Sequence, residues 1–262
     1  MTKRAELISV QILGRIAVVT LNRPHVLNAI SMDMAEQLAN GLSAIGENRA
    51  VWVVVVAAAG ERAFCVGADL KEAASLSDAA QLERRRLIRE LFKTLRSIPQ
   101  PTIASVFGYA LGGGCELALS SDLVVASEDA VFGLTETRVG LVPGGGGMLL
   151  MPRAIGVTRT KELLFTGKHV EARKAAELGF VNSVVERQNL QPATMELAGA
   201  ILRSSPSAVA EVKRTIDQSV GLPLERGLEL EEAAALRVLR SRDRAEGIAA
   251  FNDKREPEWE NR

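Results

Sequence analysis

Histidine and cysteine are scarce in this sequence: two of each among 262 residues. So few histidines leave a His-rich metal centre without ligands. Cys65 and Cys115 cannot build a disulfide framework, and a reducing compartment is expected. A charge excess is also missing, since 32 Lys+Arg balance 32 Asp+Glu. Nucleic-acid binders carry a basic excess or a basic run, so that class is disfavoured. The longest apolar run, residues 50–59, falls far short of the roughly 20 residues of a membrane span. The first ten residues hold Lys3 and Arg4 but no apolar segment of a secretion signal. A cytoplasmic protein without membrane partners is expected. What remains is an ordinary globular mixture, 47% hydrophobic and 24% charged, which excludes a disordered tail protein.

Patterning predicts strands at Glu6–Val10, Arg15–Leu21, Val51–Ala57, Thr102–Phe107, Asp122–Ala126, Ala130–Phe132 and Phe180–Val185. The valine run from Val51 to Val56 reads as a strand buried on both faces. Met34, Leu38, Leu42 and Ile45 recur at helical spacing behind Ser31, an N-cap residue type. A long helix is predicted over Asp78–Ile98, opened by an Asp78/Gln81 capping box and stopped by Pro99. Further helices are expected from near Gly113, at Thr158–Phe165 and at Glu171–Leu178, the last closed by Gly179. Beyond Leu190 no strand is evident, and three helical stretches run to the end. The fold class is therefore α/β with a helical C-terminal region.

Three glycine-rich stretches stand out: Cys65-Val-Gly-Ala-Asp-Leu-Lys71, Gly108–Glu116 and Pro143–Gly147. Phosphate binding fails on spacing. The dinucleotide fingerprint lacks its third glycine after Gly112-Gly-Gly114, and no Gly-x-x-x-x-Gly-Lys-Ser/Thr occurs. Glycines at a strand-to-helix turn instead leave N–H groups open to a ligand, where they can hold charge developing on a carbonyl oxygen. Glu116 falls in the first turn of that helix. Taken alone, it reads better as a carboxylate that merely complements the helix dipole. Neither cysteine reads as a nucleophile, because no Gly-x-Ser-x-Gly is present and neither histidine is close in sequence.

Five stretches, in order, resemble the crotonase superfamily and within it the enoyl-CoA hydratases. They are Leu21-Asn-Arg-Pro24, Ala63–Lys71, Gly108–Glu116, Phe132-Gly-Leu-Thr-Glu136 and Gly140–Gly147. The likeness extends from about Val10 to the end, taking in Ser241–Gly247 and Phe251. It implies a crotonase-like spiral of ββα units over residues 1–200 and a helical trimerisation region over 201–262. It implies an acyl-CoA substrate, no separate cofactor, and assembly as a homotrimer or hexamer. Glu116 and Glu136 match the acid–base pair, and the N–H groups of Ala68 and Gly113 match the oxyanion hole. Asp69, Leu70, Lys71 and Lys254, with Ala68 and Gly113, match positions that contact the CoA substrate.

The implied reaction is reversible syn addition of water to a 2-trans-enoyl-CoA, giving a 3-hydroxyacyl-CoA. Two rivals lie within the superfamily: a Δ3,Δ2-enoyl-CoA isomerase and a branched-chain hydratase resembling methylglutaconyl-CoA hydratase. RNA binding, known in relatives of the latter, is disfavoured because helix Ser31–Glu47 carries Asp33, Glu36 and Glu47 but no Lys or Arg. The structural alternative for Glu136 is a surface pair with Arg138. Two positions depart from the family pattern: His25 stands where lysine is common, and Met148 stands where threonine is usual, against the acyl side of the site.

Overall fold

The computed structural model describes residues 6–261. In its first half, strands β1 (Ile8–Leu13) and β2 (Ile16–Leu21) lead to helix α1 (Met32–Glu47). Strands β3 (Val53–Ala58) and β4 (Ala63–Cys65) precede helices α2 (Leu70–Ala74) and α3 (Asp78–Ser97). Strands β5 (Thr102–Val106) and β6 (Tyr109–Leu111) precede α4 (Gly113–Ser120). Strands β7 (Leu123–Ser127) and β8 (Val131–Gly133) precede α5 (Gly147–Ile155) and α6 (Val157–Thr166). After β9 (Val170–Glu171), α7 (Ala172–Leu178) and β10 (Ser183–Val185), the chain is helical: α8 (Leu190–Leu202), α9 (Pro206–Ser219), α10 (Leu224–Leu239) and α11 (Arg242–Asp253).

After the first unit, whose strands β1 and β2 pair with each other, each strand–strand–helix unit sends one strand to each of two sheets. The larger sheet has the order β1-β2-β3-β5-β7-β10, parallel except for the β1–β2 hairpin. The smaller has the order β4-β6-β8-β9. This is the spiral of ββα units that the resemblance implied. Val53–Val56 is fully buried, as its unbroken valines required. One side of the large sheet meets α1 and α3 through Met34, Leu38, Leu42, Leu91 and Leu95. On the other, α8 supplies Leu190 and Ala198 against Val53, Val55 and Ile103.

Ser31 caps α1 as expected, its hydroxyl accepting from Met34 N at 3.2 Å. The start of α3 differs from expectation. Ser77, not Asp78, is the cap and accepts from Ala80 N, while the Gln81 amide donates to Ala73 O instead of closing a capping box. The C-terminal region holds four helices among the described residues rather than three. The extra break separates α10 from α11, where Ser241 caps Arg244 N without a Pro or Gly to mark it. Asp243, almost fully buried, accepts from Ser205 Oγ, Ser207 Oγ, Glu260 N and Asn261 N, tying the chain end to the start of α9. Lys213 on α9 donates to Asp122 and to Gln100 O, fastening that helix to the spiral.

Strand β4 and helix α4 touch backbone to backbone. A Cβ on Gly114 would lie 1.9 Å from Cys65 O, and one on Gly67 would lie 2.7 Å from Gly113 N. Only glycine permits that approach. Gly199 on α8 has open space around the same position. Gly114→Ala is therefore expected to destabilise the fold by about 2 kcal/mol or more through overpacking. Gly199→Ala is expected to be neutral or stabilising by about 0.5 kcal/mol. Urea denaturation of the two variants checks the contrast.

Candidate active site

The close approach of β4 and α4 sets two free donors side by side. In the parallel bridge between Ile30 and Ala68, Ile30 N donates to Gly67 O at 2.7 Å and Asp69 N donates to Ile30 O at 2.9 Å. A parallel bridge uses the flanking peptides of one partner, so Ala68 keeps its own N–H for another acceptor. Gly112, at φ 52°, donates to Gly133 O and turns the chain into α4. Gly113 is the first residue of that helix, and its N–H is one of the orphan donors of a helix start. Among the described residues neither Ala68 N nor Gly113 N has a hydrogen-bond partner. The contact of Gly113 with Gly67 and Ala68 places both donors at one spot.

Glu116 follows one turn later and is 3% exposed. Its Oε1 accepts from Gly145 N and from Gly147 N, both at 2.8 Å. The loop Pro143–Gly147 is therefore a cradle for a carboxylate, and a Cβ on Gly147 would come within 3.1 Å of Glu116 Oε1. Burial pushes the Glu116 carboxyl above its usual range, opposed by the N–H groups of the loop. The loop is anchored from α3. Arg96 Nη1 donates to Gly145 O at 2.7 Å and to Ser120 Oγ at 3.1 Å, and Phe92 fills the space a side chain on Gly145 would need. Sequence reasoning missed Arg96, because one arginine on a helix rich in arginines carries no distinguishing mark.

Glu136 opens a short 3-10 turn after β8. Its Oε1 faces Gly112, and its Oε2 is buried without a hydrogen-bond partner. Burial pushes its carboxyl up to about 7, with the Glu116 charge contributing in the same direction. The surface pairing with Arg138 does not form, since Arg138 Nε donates to Thr166 O. Both glutamates, Ala68, Leu70 and Gly113 line one cavity of about 350 Å³. Its walls are apolar at Ile30, Leu82, Ile88, Phe92, Leu141 and Val142, with Arg84 and Arg85 at α3.

Other expected positions lie apart from it. Asp69 caps α2 and pairs with Arg23 at 3.1 Å, so its carboxylate is engaged in holding the loop. Lys71 and Lys254 are exposed and do not line the cavity, Lys254 standing just past α11 in a left-handed conformation. His25 is exposed on the turn after β2. Met148 is 45% exposed on α5 and outside the cavity lining, because the cradle turns Gly147 rather than Met148 toward Glu116. Both cysteines are buried, and burial pushes the Cys65 thiol up to about 12 and Cys115 higher still, as inert core thiols.

The spiral of strand–strand–helix units is the crotonase fold, and comparison places the chain within that class. The family model described as enoyl-CoA hydratase/isomerase matches residues 11–262. The YngF protein of Bacillus subtilis is 42% identical over 239 residues, covering 91% of this chain and 92% of that protein. A short-chain-enoyl-CoA hydratase of Clostridium acetobutylicum is 34% identical, covering 94% of both. The crystal structure of an enoyl-CoA hydratase from Bacillus anthracis superposes with a TM-score of 0.95 at 39% identity, covering 98% of this chain and 100% of that one. This chain belongs to the enoyl-CoA hydratase/isomerase family.

The raised Glu136 pKa carries a stability consequence. Between its ordinary 4.5 and about 7 the folded state holds a proton that the unfolded chain releases. The contribution of this group to stability is therefore full below 4.5 and is lost as pH rises to about 7. Glu136→Gln removes that loss. The difference in melting temperature between variant and parent is expected to shift in favour of the variant across this range and to level off above it, as read by calorimetry.

Proposed function

We propose that the protein is an enoyl-CoA hydratase, adding water reversibly and with syn geometry to a 2-trans-enoyl-CoA. The observation that carries this reading is the placement of two differently held carboxyl groups on one cavity beside two unpartnered N–H groups. The thioester oxygen sits between Ala68 N–H and Gly113 N–H, which stabilise the enolate charge by about 3–4 kcal/mol for each well-placed donor. Glu116 has Oε1 fixed by the glycine cradle, which leaves Oε2 to accept a proton from water as the hydroxyl forms its bond to C3. Glu136, with an unpartnered Oε2 and a pKa near pH 7, delivers its proton to C2. Exchange with solvent then returns each group to its starting state. Both bonds form on the face of the substrate that meets the carboxyl groups, hence the syn outcome.

An isomerase needs mainly one carboxylate, and two substitutions separate the readings. For a hydratase, Glu116→Gln and Glu136→Gln should each slow hydration at least ~100-fold. The double variant should be little worse than the poorer single one, because the pair acts on one water. Hydration that survives Glu116→Gln, with double-bond migration lost only in Glu136→Gln, would favour the isomerase.

Assembly as trimers, alone or paired into hexamers, is part of the same proposal. Val212, Ile216, Leu224, Leu228, Leu236, Leu239 and Phe251 are exposed on α9–α11, more apolar surface than three solvated helices need. Light scattering is expected to return a mass of three or six chains across a wide concentration range. A monomer throughout would contradict this.

A further inference from the structure

One wall of the cavity is a single stripe of α3. Residues 81, 84, 85, 88 and 92 follow the i, i+3, i+4 spacing of one helix face, and all five line the space. Phe92 stands at the glycine cradle, so this end of the stripe is level with the reacting groups. Arg84 lies eight residues N-terminal to it, about 12 Å along the axis at 1.5 Å per residue. Side chains on a helix lean toward its N-terminus, which carries the guanidinium further from the glutamates.

Arg84 is half-buried in this wall. Its Nε is shielded from solvent and donates to nothing, and among the described residues it forms no ion pair. Of the acids on the same helix, Glu83 holds Arg86 and Glu90 holds Lys93. Nor does it serve the reacting carboxyls, since Glu116 Oε1 is bound by the glycine loop and Glu136 Oε2 has no partner. A purely hydrocarbon acyl tail passing through this compartment would leave the buried N–H unsatisfied, at a cost in binding. A carboxylate meeting Nε and a terminal nitrogen side-on would satisfy it with two charge-assisted bonds.

We propose that Arg84 binds a carboxylate at the far end of the acyl chain, so that the site takes CoA thioesters of dicarboxylic acids. This rests on the acyl-CoA reading above and names the substrate class of the same site. Ile88 and Leu141 offer apolar surface against which the methylene chain between the two ends can lie, and Leu82 stands 71% exposed beside them.

Calorimetric binding of saturated thioesters tests this without turnover. The probes are dicarboxylyl-CoA thioesters of five to ten carbons, each paired with the monocarboxylyl-CoA of equal carbon number. The parent is expected to prefer the dicarboxylyl member at least tenfold at the length that reaches Arg84. Arg84→Gln is expected to abolish that preference, and Arg84→Lys to retain part of it. Each preference is a ratio within one preparation, so a partly misfolded variant does not mimic the result. If Arg84 instead meets a CoA phosphate, Arg84→Gln will weaken both members of each pair equally and leave the corresponding pantetheine thioesters unaffected. That outcome overturns the proposal, as does a parent with no preference at any length. Failure of every CoA thioester to bind overturns the acyl-CoA reading itself, and the proposal with it.

Discussion

The close packing of β4 against the start of α4 is the constraint on which the site depends. A backbone that passes within 1.9 Å of a would-be Cβ at Gly114 cannot be reached by any other residue type. That approach sets Ala68 N–H beside Gly113 N–H, and the reason both are free is topological rather than chemical. One is on the unused side of a parallel bridge, and the other is a helix-start donor. Two polar groups that would be a liability in an ordinary core become useful because a cavity opens in front of them. Phe64, Cys65 and Leu117 pack behind them, excluded from solvent.

The two carboxyl groups are set apart by their environments. Glu116 is more deeply buried yet has two N–H donors on one oxygen, and Glu136 is less buried but has an oxygen with none. Burial raises both pKa values, and the donors on Glu116 offset part of that rise. In the proposed reaction this asymmetry assigns the proton-accepting role to one group and the proton-donating role to its neighbour. Its support reaches into α3, where Arg96 fixes the carbonyl of the same residue whose N–H holds Glu116. The loop thus acts as a rigid link between helix and carboxylate.

Long, strongly patterned elements were legible in the sequence. Ser31 and the apolar repeat behind it defined α1, and the valine run defined β3. The short strands β4, β6 and β9 were not legible, because two or three residues inside glycine-rich or polar surroundings show no period and form only through partners distant in sequence. The break between α10 and α11 escaped notice because a serine cap marks it without Pro or Gly. At the site, the glutamates, Ala68 and Gly113 could be named only through a resemblance. Arg96 and Arg84 could not be named at all. Their significance arises from what they face across a loop or cavity, and composition carries no trace of that.

In the proposed reaction Ala68 N–H and Gly113 N–H polarise the carbonyl of a bound thioester. Isotope-edited infrared spectroscopy of a carbonyl-labelled 3-hydroxyacyl-CoA measures this directly on the unmodified protein. Two aligned donors lengthen the C=O bond, so the labelled band is expected to move to lower frequency on binding than in water. A bound thioester whose carbonyl band stays at its solution frequency would mean that the two donors do not form an oxyanion hole.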